Sequence, residues 1–183
     1  MRYVIFNKPY GVLCQFTDEL GRQTLKDYLP FPDIYAVGRL DHDSEGLLFL
    51  TDDGPLNHQL ADPRHKQPKT YWAQVEGTPT EEQRKKLETG VTIGGRKTRP
   101  AKVLIMAAAP EVWERSKPIR FRKTVPTAWL EITISEGMNR QVRKMTAAVG
   151  LPCLRLIRAA IGNIKLGDLP PGEHAEIKRP VSR

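Results

Sequence analysis

Cysteine is almost missing from this sequence. Cys14 and Cys153 are the only two, and they stand far apart with no CxxC spacing. That excludes a disulfide framework and a thiolate metal site, and fits two buried thiols in a reducing compartment. No run approaches the ~18 apolar residues of a membrane span. The opening Met-Arg-Tyr-Val-Ile-Phe carries no signal-peptide core of sufficient length. Repeats, low-complexity tracts and an HExxH pair are also missing. These absences lead to the expectation of a cytoplasmic monomer without membrane contact, built as one domain over residues 1–183.

What the chain has in excess is positive charge. Lys and Arg number 29 against 21 acidic residues, a formal charge of +8. Such an excess is either a solvated surface or the footprint of a polyanion. Against that background one acid-dense stretch stands out, Gly38-Arg39-Leu40-Asp41-His42-Asp43-Ser44-Glu45-Gly46, followed by the apolar Leu47–Thr51. A loop crowded with carboxylates beside a rigid strand is a usual place for chemistry.

Around it the chain reads as short strands. Tyr3–Asn7, Val12–Phe16, Tyr35–Val37, Lys69–Val75, Ala101–Met106, Ala128–Ile134 and Leu154–Ile161 are predicted extended, and Asn163–Leu166 and His174–Ile177 close the chain. A hairpin is predicted at Gly94-Gly95. Helices are predicted over Pro55–Ala61, after the Thr80-Glu81-Glu82-Gln83 capping box, and over Arg140–Val149 with Asn139 as its cap. The second helix is polar almost all round and is expected to be exposed, and Ala128–Ile134 to bury one face. The sum is a mixed α/β (α+β) fold with a largely antiparallel central sheet, flanking helices and a cleft between two lobes.

Three constellations carry competing readings. Asp41, His42, Asp43 and Glu45 invite a metal, but in an extended segment Asp41 and Asp43 point to opposite faces, and no second ligand cluster follows. Asp41 is either a reactive carboxylate, ionised and oriented by Arg143 on the edge of the last helix, or one member of an Arg39–Asp41–Asp43 staple. Tyr71 is either core or a platform for an unstacked base, with Arg64, His65 and Lys66 nearby for phosphates. A wider basic set, Arg140, Lys144, Arg155, Arg158 and the 115–123 loop, is either a solvated face or a phosphate footprint. Three functions stay open on these residues: a nucleic-acid enzyme, an RNA-binding module without chemistry, and a metal-dependent phosphohydrolase.

Five blocks narrow the choice. They are Asn7-Lys8-Pro9-x-Gly11; Gly38-Arg39-Leu40-Asp41 with Ser44-x-Gly46-Leu47-Leu48-x-Leu50-Thr51; Lys69-x-Tyr71; Glu136-Gly137-x-x-x-Gln141-Val142-Arg143-Lys144-Met145; and Leu156-x-Arg158-x-x-Ile161-Gly162. In this order they resemble the RsuA family of pseudouridine synthases over nearly the whole chain. The resemblance implies isomerisation of a uridine to pseudouridine in ribosomal RNA of the large subunit, without cofactor or metal. It implies that Asp41 is the catalytic carboxylate, attacking C1′ of the sugar or the uracil ring. Tyr71 would stack on the target base and Arg143 would pair with Asp41. Arg39, Arg64, Lys69, Arg140, Lys144 and Arg158 would contact the RNA. Many family members carry an S4-like RNA-binding domain before the catalytic one. Here the catalytic pattern starts at Tyr3, so the expectation is a catalytic domain without it.

Overall fold

A computed structural model describes residues 1–65 and 67–181. Lys66 of the expected phosphate cluster, and the last two residues, Ser182 and Arg183, lie outside the described residues. The elements follow in order as β1 (Tyr3–Lys8), β2 (Tyr35–Ala36), β3 (Glu45–Thr51), α1 (Gly54–Ala61), β4 (Lys69–Glu76), α2 (Glu81–Thr89), β5 (Thr92–Ile93), β6 (Arg96–Lys97), β7 (Lys102–Ile105), β8 (Thr127–Ile134), α3 (Gln141–Ala148), β9 (Cys153–Ile161), β10 (Ile164–Lys165) and β11 (His174–Glu176).

Local chemistry accounts for the element ends. Asp53 accepts the Leu56 N–H and starts α1, and Pro55 loses nothing in the first turn, where its missing N–H has no helical partner. Thr80 and Gln83 form the reciprocal capping box of α2. The polar composition of α2 hides one anchor, since Leu87 is fully buried. Val12–Phe16 does not form a strand; it bends, with a single bridge between Leu13 and Thr24. Asn139 does not cap α3. The cap position belongs to Arg140, and the Asn139 side chain accepts from Lys144 instead.

Among the described residues, nine strands form one sheet with the central order β11-β1-β3-β9-β4-β8-β7. Every pairing is antiparallel except β3 with β9. Alternation sends successive side chains to opposite faces. Leu47, Phe49, Ile5, Ile157 and Trp129 share one cluster that runs unbroken across the sheet, closed by Leu56 and Leu60 of α1. The other face carries two clusters. Val4, Phe6, Leu48 and Leu50 pack under residues 12–34, and Ala73, Val75, Leu130, Ile132 and Leu156 pack under α2 and α3. Two lobe cores therefore sit on one continuous sheet, and on this face they part where β3, β9 and β4 meet. The expectation of one buried face for β8 is too modest, because Trp129 on its other face is 7% exposed.

Candidate functional site

Pairing registers set one row of residues across the break between the lobes. Lys8 lies opposite Gly46, Gly46 opposite Arg158, and Arg158 opposite Tyr71. Alternation puts all four on the two-lobed face. Gly46 has to be glycine: its φ is +103°, and a Cβ there would fall on the backbone of Arg158. With no side chain in between, β9 lies close, and the Arg158 Nε donates to the Leu47 carbonyl at 2.9 Å.

The residues 41–44 enter β3 immediately beside this row. They form a turn, closed by the Ser44 N–H on the Asp41 carbonyl at 3.0 Å. The next two carbonyls are held from outside. That of His42 accepts from the Gly11 N–H at 2.9 Å and from Lys8 Nζ at 3.4 Å, and that of Asp43 accepts from Arg143 Nη2 at 2.9 Å. Three successive carbonyls are thus fixed, which makes this a rigid platform.

The turn also overturns the expectation that Asp41 and Asp43 face opposite ways. Both carboxylates converge on Arg140. Its Nη1 and Nη2 donate to the two oxygens of Asp43 at 2.9 and 2.8 Å, and Nη1 stands 3.4 Å from Asp41 Oδ2. The bidentate Arg140 fork holds Asp43 well below the usual carboxylate range, at about 2. Asp43 is thereby committed through both oxygens, while among the described residues Asp41 has the longer ion pair with Arg140 alone. Arg140 reaches this position from φ +49°, ψ +37°, the one left-handed non-glycine residue among the described residues. Such a conformation costs about 1–3 kcal/mol and persists where surrounding contacts over-determine it.

The Asp41–Arg143 pair expected from the sequence is replaced by this arrangement. Arg143 goes to the Asp43 carbonyl and stands 3.7 Å from its Oδ2. A helical wheel places Arg143 correctly at the boundary of α3, but it cannot foresee that a left-handed turn swings Arg140 over both acids. Two further expectations change. Arg158 is 2% exposed and bonded to backbone, so it is no surface contact for phosphate. Arg155 is equally buried and forks onto Glu45 with two bonds of 2.9 Å. Glu45, one of the four side chains that invite a metal, is fully buried and taken up by that fork.

Other expected residues stay accessible. Arg39 and Lys144 are exposed. Arg64 is exposed and clamps Asp62 at 2.7 Å. Lys69 is half-buried beside Arg158, and burial, then that neighbouring charge, push its ammonium below the usual lysine range. Tyr71 packs partly against the second lobe's core. Among the described residues, no three histidine, cysteine, aspartate or glutamate side chains gather as a metal-binding group, and no helix is long and apolar enough to cross a membrane. Cys14 and Cys153 are free and half-buried, short of the full burial expected.

Lys8 is the residue whose role sequence reasoning missed. It is fully buried and its Nζ donates to the Pro9 and Val12 carbonyls at 2.9 and 2.8 Å besides that of His42. Burial pushes its pKa down to about 8, against partial support from nearby Cys14, Glu45, Asp43 and Asp41. Below pH 8 both folded and unfolded chains hold the proton, and the burial cost is felt in full. Between pH 8 and the unfolded value of 10.5, the unfolded chain alone holds it, so stability rises with pH. Replacing Lys8 by Met should remove that rise, about 3 kcal/mol over the interval. Urea midpoints of both proteins at pH 7.5 and 10 check this; parallel midpoints would show that Lys8 does not titrate in this way.

The site's geometry can be set beside known proteins. A family model described as RNA pseudouridylate synthase matches residues 2–148. A relative from Xanthomonas axonopodis pv. citri, named ribosomal large subunit pseudouridine synthase E, is 60% identical over 92% of this chain and 90% of its own length. A protein of the same name from Vibrio parahaemolyticus is 56% identical over 97% of this chain and 74% of its own. A crystal structure of a pseudouridylate synthase superimposes with a TM-score of 0.78 at 30% identity, covering 97% of this chain and 70% of that one.

Proposed function

Because the chain belongs to the RNA pseudouridylate synthase family, we propose that it isomerises one uridine of large-subunit ribosomal RNA to pseudouridine, with Asp41 as nucleophile. One observation carries the substrate: the likeness, over nearly the whole chain, to relatives named large-subunit synthases. The geometry supports the choice of carboxylate. Asp43 is locked by Arg140, so Asp41 is the acid left with a reactive oxygen beside the cleft.

In this reading the uridine leaves its stack and enters the break between the lobes. Asp41 attacks C1′ of the sugar, or adds to the uracil ring. In either case the N1–C1′ bond breaks, the base turns, and a C5–C1′ bond forms. C5 gives up its proton and N1 gains one, so the reaction balances with no outside group. Arg140 and Arg143 act on Asp41 by orienting the turn that carries it. Exposed Arg39, Arg64 and Lys144, with Lys69 at the cleft edge, would hold phosphates and offset the few kcal/mol of unstacking. Residues 1–183 act as one catalytic domain, as a monomer in the cytoplasm.

Mapping pseudouridines in ribosomal RNA from cells with and without the protein tests this proposal. One large-subunit site should revert to uridine; an unchanged map would overturn it. Tyr71, at the end of the cleft row, is proposed to stack on the base. Stacking contributes about 1–3 kcal/mol per base. Tyr71→Phe should therefore keep much of the rate and Tyr71→Ala lose about tenfold or more. Equal single-turnover rates for the two would remove Tyr71 from that role.

A further inference from the structure

After β7 the chain runs from 106 to 126 without a strand or helix. Irregular segments of that length in a compact fold tend to be functional or disordered. This one has a polarised composition. Arg115, Lys117, Arg120, Arg122 and Lys123 fall in a stretch with no acid from 115 to 126. Phe121 in its middle is 74% exposed. Cations interleaved with an exposed aromatic suit a polyanion that also offers stackable faces, which is RNA.

The segment is nevertheless held down, and the places where it is held are specific. Val112 and Trp113 pack on the continuous core. The Trp113 Nε1–H donates to Glu45 Oε1 at 2.9 Å, and Arg155, already forked onto Glu45, donates from Nη2 to the Trp113 carbonyl at 2.9 Å. Two residues on, the Arg115 guanidinium lies over the Tyr10 ring, 4.4 Å from its centroid, with Nη1 on the Leu154 carbonyl at 3.2 Å and Nε on the Lys117 carbonyl. At the far end Arg122 meets Glu76 at 3.3 Å, and the Gly77 N–H donates to Pro126 at 2.7 Å.

The landing points matter. Glu45 follows directly on the 41–44 turn. Tyr10 belongs to the turn whose Gly11 N–H holds the His42 carbonyl. Simple tethering needs only some patch of core. Here both anchors grip the two segments that fix Asp41 in place.

We propose that Glu45, Arg155 and Trp113, together with Arg115 on Tyr10, form a brace that holds the basic arm 115–126 in fixed register with the catalytic turn. The arm grips RNA flanking the target, and the brace makes that grip count toward binding of the substrate on the catalytic turn. Trp113 and Tyr10 are positioning residues that act through the arm and the turn. The inference rests on the synthase reading above.

Tritium release from a C5-tritiated large-subunit ribosomal RNA transcript tests it, with kcat and KM measured separately. Tyr10→Leu and Trp113→Phe should raise KM about tenfold while kcat falls less than about threefold, the size expected for a lost cation–π or hydrogen-bonded anchor. Tyr10→Phe keeps a ring under Arg115 and should bring KM back to within about twofold of wild type. Should Trp113→Phe fail to fold, Tyr10→Leu and its Tyr10→Phe rescue carry the test. A fall in kcat with KM unchanged, movement in neither parameter, or no rescue by Tyr10→Phe overturns the brace. If the wild-type protein itself releases no tritium, the synthase reading falls, and the brace with it.

Discussion

Asp41→Asn should abolish turnover, lowering tritium release by about ten-thousand-fold or more, the scale seen when an enzyme loses its nucleophile. The substitution is close to isosteric and removes only charge and nucleophilicity. The fold should not notice it. Asp41 has a partly exposed side chain and a 3.4 Å contact with Arg140, and such pairs contribute less than about 1 kcal/mol. RNA binding should persist or strengthen slightly, since one negative charge facing phosphates is gone. The control is Asp43→Asn. Asp43 accepts both Arg140 bonds, so its loss should disturb the turn and reduce the rate by a smaller factor. An Asp41→Asn protein with substantial turnover, or an Asp43→Asn protein as dead as it, would remove Asp41 from the nucleophile's role.

The largest effect on stability should come from Glu45→Ala. Glu45 is fully buried and Arg155 is 7% exposed. Removing the carboxylate leaves a buried guanidinium without its counter-charge, which typically costs about 3–5 kcal/mol. Measured against the ~5–15 kcal/mol of an ordinary domain, that is a large share of the total. It should appear as a clear drop in the urea midpoint. Removing both partners is a different matter. The double variant Glu45→Leu, Arg155→Met replaces a desolvated pair by apolar groups of similar size and should recover most of the loss. A Glu45→Ala midpoint close to wild type would mean that water reaches Arg155 and the pair is not structural. The double variant has a second use: it should fold while lacking the Trp113 anchor, which separates stability from arm positioning.

How much of this was legible in the sequence varies residue by residue. The acid-dense loop 38–46 was legible because acids, two glycines and an apolar strand converge within a dozen positions, but the turn at 41–44, expected as an extended segment, was not. The ends of α1 and α2 were legible because proline and the capping box act locally. The alternation of β4 correctly set Tyr71, Ala73 and Val75 on one face. What escaped has a common cause, action at long range. Arg155 and Arg158 look like surface cations in any local reading. They are buried because Glu45 and Gly46, more than a hundred positions earlier, supply a carboxylate and a vacant Cβ position. Lys8 is buried for the same reason, its partners being carbonyls of two turns that meet only in the folded chain. Arg140 stands where Arg143 was expected, beside Asp41, because helical periodicity says nothing about a left-handed residue just before the first turn. The family resemblance named the participating blocks, while the wiring between them came from coordinates.

The strand order also governs how the chain must fold in time. The first strand, β1, is flanked by β3 on one side and by β11 on the other, with Val4–Phe6 against His174–Glu176. The 41–44 turn leads into β3, whose other partners are β2 and, from the far end of the chain, β9. Such distant pairings give a high contact order, and loop closure has to be met before these contacts form. The amino-terminal half therefore emerges during synthesis with Leu47 and Phe49 lacking Trp129 and Ile157 of their cluster and part of the β3 edge unpaired, a state prone to association. Refolding from urea should be slow for a chain of this size, and a fragment ending before β9 should aggregate. The two lobes become a competent enzyme together, when the last strands arrive.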